Sequence, residues 1–110
     1  MKLFSRIKQI IKFAKADYEL RKAIIEAENK SKHFGVRYYV LPNHKHRLIS
    51  RSYGELKRMR KQGIFSAHCT IKDFTLESFY YTASKYEPPI SKQAKKHKRE
   101  AWLKYVATYR

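Results

Sequence analysis

Acids, cysteine and glycine are all scarce in this chain. Of its 110 residues, 9 are Asp or Glu against 26 Lys or Arg, a formal net charge of +17 with histidine neutral. A single cysteine, Cys69, excludes an intrachain disulfide framework and a thiol-rich metal site, and makes a reducing, cytoplasmic compartment the default. With 3 glycines there is no Gly-rich phosphate loop. The acids are scattered, which argues against a two-metal nuclease site. No apolar run approaches the roughly 20 residues of a membrane span. The first stretch, MKLFSRIKQIIKFAKADYEL, is cut by charges every two or three positions, unlike a signal peptide. These gaps lead us to expect no enzyme, no cofactor and no metal.

What is present is basic surface. So large an excess of cations repels itself, and a polyanionic partner relieves the strain. Nucleic acid, an anionic membrane and an acidic protein are the three candidate classes.

Along the chain, residues 3 to about 30 carry helical periodicity. Phe4, Ile7, Ile11, Ala14, Tyr18 and Ile25 form one stripe, flanked by Leu3, Ile10 and Ile24. This stripe is expected to pack on the protein itself, on a second copy or on a partner protein, in preference to a membrane. The helix begins basic (Lys2, Arg6, Lys8, Lys12, Lys15) and ends acidic (Asp17, Glu19, Glu26, Glu28), the reverse of what its dipole favours. GVRYYVLP and RLISRS predict a hairpin of residues 36–41 and 47–51 around the turn NHKH. SYGELKRMRKQG predicts a short helix: Ser52 caps it, Glu55 completes a capping box, and Gly63 supplies the left-handed stop. IFSAHCTIK alternates as a third strand. DFTLESFYYT reads as a helix capped by Asp73 with Leu76, Phe79 and Tyr80 on one face, a strand being the alternative. Pro88 and Pro89 make a hinge, and Ser91 caps a last helix.

The fold class is therefore α+β: an amphipathic helix over residues 1–32, a compact β-β-α-β-like centre over 33–84, and a proline hinge with a basic helix over 85–110.

Two basic clusters carry the expected interface. The first combines Lys45, Arg47 and Arg51 of the hairpin with Lys57, Arg58 and Lys61 of the capped helix, as one continuous surface. The second is Lys92, Lys95, Lys96, Lys98 and Arg99, followed by Trp102 as a base-stacking platform. One of Tyr38 and Tyr39 should be core, leaving the other free to stack. His33, His44, His46, His68 and Cys69 could ligate metal, but no Cys/His pair has finger spacing. HKH departs from the His-hydrophobic-His pattern of single-strand replication nucleases, because its centre is Lys45 and no acid follows at a fitting spacing.

RYYVLP, GELKRMRKQG and ESFYYT, in that order, resemble small basic proteins of microviruses, the gokushovirus-like single-stranded DNA phages of Bacteroidetes hosts. The resemblance covers residues 36 to 82 and implies a phage protein that meets single-stranded DNA in replication or packaging, in the host cytoplasm or the virion. It assigns no catalytic residues. The expected partner is thus nucleic acid, single-stranded DNA ahead of RNA, bound through phosphates with weak sequence preference. A ribonucleoprotein component and a structural or membrane-surface protein are the alternatives.

Overall fold

The computed structural model describes residues 2–64 and 70–110, with side chains from Ser5 onward. Four helices and a three-stranded antiparallel sheet make it α+β. The elements are α1 (Lys2–Phe34), β1 (Tyr38–Pro42), β2 (Leu48–Ser52), α2 (Tyr53–Lys61), α3 (Ile71–Glu77), β3 (Tyr80–Tyr81) and α4 (Lys92–Tyr109).

The strand order is β2-β1-β3. Tyr38 pairs with Ser52 and Pro42 with Leu48, while Tyr39 and Val40 pair with Tyr81 and Tyr80. Both faces of the sheet are covered. On one face Tyr38, Val40 and Tyr80 pack with Ala16, Leu20, Ala23 and Ala27 of α1 and Trp102 and Val106 of α4. On the other, Tyr39 and Leu41 meet Leu56 of α2 and Phe74 of α3. The molecule is three layers deep: α1 with α4, the sheet, then α2 with α3. The larger core is therefore shared between both long helices and the central segment, while the smaller one lies wholly within residues 33–84.

Burying both sheet faces corrects one expectation at once. Tyr38 and Tyr39 do point to opposite faces, yet each meets a core, so neither is a stacking platform.

Helix α1 corrects another. Its 33 residues span about 50 Å, the long dimension of the molecule. The inward seam is Ala16, Leu20, Ala23, Ala27 and Ser31, at spacings of four, three, four and four. The stripe picked out by bulky residues lies on the opposite side: Ile7, Ile11, Ala14, Tyr18 and Ile25 are exposed, as is flanking Ile10. Flanking Ile24 packs against the core, and the side chains of Leu3 and Phe4 lie outside the described residues. The reason is steric. Small side chains let the helix axis approach the sheet and α4 closely enough for Trp102 to sit against it, donating its indole N–H to the Ala16 carbonyl at 2.8 Å.

The short elements follow their local chemistry. In α2 the capping box is complete, Ser52 accepting from the Glu55 N–H at 3.3 Å and the Glu55 carboxylate accepting from the Ser52 N–H at 3.2 Å. Gly63 takes φ +82° just past the helix, a conformation open to glycine without a Cβ clash. In α4, Ser91 accepts from the Ala94 N–H at 3.1 Å. The hairpin turn is held by Asn43, whose side chain accepts from the N–H groups of Lys45 and Arg47.

The segment between α2 and β3 differs from its reading. Residues 65–69 of the expected third strand lie outside the described residues. Its end, Ile71 and Lys72, instead opens α3. The cap there is Thr70, and Asp73 is the reciprocal member of its box, accepting from the Thr70 N–H at 2.7 Å. DFTLESFYYT is half of each alternative: helix through Glu77, then strand at Tyr80–Tyr81. Leu76 consequently shares no face with Phe79 and Tyr80; it is 76% exposed while they are buried.

Candidate nucleic-acid interface

The scarce acids decide where free charge remains. Asp17 pairs with Arg99 at 2.7 Å and Arg21 at 3.3 Å. Glu19 takes Arg110 at 2.6 Å and Arg47 at 3.6 Å. Glu26 takes Lys30 at 2.8 Å and Glu87 takes Arg37 at 3.1 Å. Glu28 accepts from the buried Tyr80 hydroxyl. Glu55 and Asp73 serve capping boxes, and Arg51 reaches Glu55 at 3.9 Å. Most acids thus hold the layers and helix ends together. The arginines they engage are neutralised within the fold.

That divides the predicted interface residues. Lys57, Arg58 and Lys61 project from the outer face of α2, exposed and making no ion pair among the described residues. Leu56 and Met59 anchor the opposite face of the same helix. The three cations also sit toward the helix C-terminus, where the dipole favours positive charge, so the fold tolerates their crowding. Lys45 is exposed at the hairpin turn. Arg47 and Arg51 are held by Glu19 and Glu55, so the expected continuous surface from turn to α2 is interrupted. The turn itself leans toward α4. His46, at φ +60°, hydrogen-bonds Tyr105 through Nδ1 at 2.6 Å and stacks on Tyr109 at 5.3 Å.

In α4 the basic run separates by face. Lys92, Lys95 and Lys96 are exposed and, with Arg21 and Arg99, rim a groove of about 530 Å³ floored by Leu20, Ile24, Ile25 and Phe79. Lys95 also lies 5.8 Å from the Tyr80 ring centroid. Lys98 turns the other way. Its ammonium donates to the carbonyls of Thr75, Leu76 and Ser78 at 2.8, 3.1 and 2.6 Å, closing the C-terminal end of α3. Burial lowers its pKa. Arg99 is committed to Asp17; their hydrogen bond holds the Asp17 carboxyl below the usual carboxylate range, against the opposing effect of burial. Trp102 is fully buried, with its one donor used. Lys98 and Trp102 are therefore parts of the scaffold, and a base cannot reach Trp102.

Exposed aromatics exist elsewhere, missed by reading the sequence. Tyr18 is 62% and Tyr86 is 86% exposed, with Lys22 and Lys85 each 5.6 Å from the respective ring centroid. Their signal was the adjacent lysine, at i+4 in one case and i−1 in the other. Among the described residues no three His, Cys, Asp or Glu side chains converge as a metal site, and His68 and Cys69 fall outside that set. Among the same residues no helix is long and apolar enough to cross a membrane. No family model, curated protein or solved structure matches the chain.

Proposed function

We propose that this is a non-enzymatic nucleic-acid-binding protein that follows phosphates, with single-stranded DNA its preferred form. The observation that carries the reading is the segregation of charge. The fold pairs Asp17, Glu19 and Glu26 with Arg21, Arg47, Arg99, Arg110 and Lys30, and leaves Lys57, Arg58 and Lys61 on one outer layer and Lys92, Lys95 and Lys96 on the other. Lys45 extends the exposed charge at the hairpin. A strand contacting these groups displaces counterions, and binding weakens as salt rises. Tyr18 and Tyr86, each with an ammonium beside an open ring, supply stacking faces for unpaired bases, which favours a single strand over a duplex. No motif on these surfaces fixes a base-edge reader, so sequence preference is weak.

A phage origin, as residues 36–82 suggest, and a site of action in the host cytoplasm or virion belong to the same proposal. The test is a titration of labelled oligonucleotides across salt. If about six phosphates are engaged on a single strand, the log–log slope is near −4. Tighter binding of structured RNA than of single-stranded DNA transfers the reading to a ribonucleoprotein role. A slope near zero removes it.

A further inference from the structure

The bulky stripe of α1 faces away from the protein, and its surroundings indicate what covers it. Ile7, Ile10, Ile11, Tyr18 and Ile25 are between 44% and 67% exposed, although the opposite side of the same helix is packed from Ala16 to Ser31. At 100° per residue, Lys8, Lys15 and Lys22 line one flank of this stripe. On the other flank Arg21 is paired with Asp17, and the positive row is Lys92, Lys95 and Lys96 of α4, across the groove that Ile25 helps to line. The helix's acids are engaged within the fold: Asp17, Glu19 and Glu26 are paired with cations, Glu26 doing so on the flank of Lys8 and Lys15, and Glu28 is engaged by Tyr80. The outward surface is an apolar line between two rows of positive charge.

We infer that this face of α1 lies on an anionic lipid surface, the isoleucines entering the boundary of the acyl chains and the flanking lysines meeting the headgroups. The pattern is that of an interfacial helix, apolar on one side and cationic along both margins. Charge selects this occupant over a second copy of the chain. Pairing two such faces brings lysine rows together on molecules that each carry +17. An acidic protein meets the same charge requirement and is separated from lipid by the experiment.

The experiment uses the full chain in vesicle co-sedimentation, with phosphatidylglycerol–phosphatidylcholine vesicles compared with phosphatidylcholine alone. The wild type should sediment with the anionic vesicles and stay in solution with the neutral ones. The variant Ile7→Ser/Ile10→Ser/Ile11→Ser replaces only exposed side chains away from the groove, so its thermal unfolding should match the wild type. Its affinity for anionic vesicles should fall roughly tenfold or more, with oligonucleotide affinity unchanged. The variant Lys57→Ala/Arg58→Ala/Lys61→Ala, altered on the opposite layer, should keep vesicle binding. Three outcomes overturn the inference. Failure of the wild type to sediment with anionic vesicles rejects lipid and leaves an acidic protein. Equal sedimentation of the serine variant reduces the effect to charge alone. A wild-type dimer that the serine variant loses names a second copy as the occupant.

Discussion

Helices α2 and α4 look alike as sequences, short runs of Lys and Arg behind a serine cap, yet the fold uses them differently. In α2 one face is core and the remaining cations, Arg60 set aside, are exposed and make no ion pair among the described residues. In α4 the run wraps around the helix, so some of its cations meet the fold: Lys98 holds the end of α3 and Arg99 clamps α1 through Asp17. Charge density alone does not identify an interface. What matters is whether an acid or a carbonyl is already waiting for the cation.

Substitutions can break that contrast, the largest effect being expected at the foot of α4. Trp102→Ala removes the biggest fully buried side chain and a hydrogen bond to α1, and should cost about 3–5 kcal/mol in denaturant unfolding. Lys98→Ala leaves the carbonyls of Thr75, Leu76 and Ser78 without their donor, a loss of about 1–3 kcal/mol. Lys96→Ala, two residues away and exposed, should stay within about 0.5 kcal/mol of wild type. Equal losses at the two positions would dissolve the distinction drawn within α4. Ser52→Ala opens the capping box of α2 and should cost about 1 kcal/mol.

The cations of α2 should behave in the opposite way. Replacing Lys57, Arg58 and Lys61 together by alanine should leave the unfolding midpoint nearly unchanged. It should flatten the salt dependence of single-strand binding by about two units. An unchanged slope removes α2 from the interface.

Acid sharpens the comparison from the side of α4. The carboxyl of Asp17 titrates below its unfolded value because Arg99 is bonded to it. Its contribution is complete above the unfolded pKa and disappears as pH falls through the folded one, that is, below about pH 4. Stability measured between pH 5 and pH 3 should therefore drop less steeply in Asp17→Asn than in the wild type.

Much of the fold was legible where short-range chemistry decides. The capping box at Ser52, the stop at Gly63, the cap at Ser91 and the hairpin each depend on residues a few positions apart, and all stand as read. The first helix was legible as a helix but not as to its face. Periodicity weighs bulky apolar residues, and the buried seam is mostly alanine, whose contribution is close approach rather than large area. Its signal was available in the spacing of Ala16, Leu20, Ala23, Ala27 and Ser31. The candidate site was legible as composition and only partly as position. No local rule says that Lys98 finds carbonyls some twenty residues earlier, or that Trp102 finds Ala16 across 86 positions. Tyr39 failed for a related reason: alternation gives two sides to a strand but does not say that both are covered.

The distance in sequence between α1 and its partners has a consequence for synthesis. Ala16 waits for Trp102, and Glu19 for Arg110, 91 positions later. While the chain is being made, the hairpin and α2 can assemble early and cover part of the alanine seam, but its α4 side stays bare until the distal helix has left the ribosome. Closure of the main core is thus a late event, and the nascent chain passes through an interval of exposed apolar surface in which chaperone capture competes with docking.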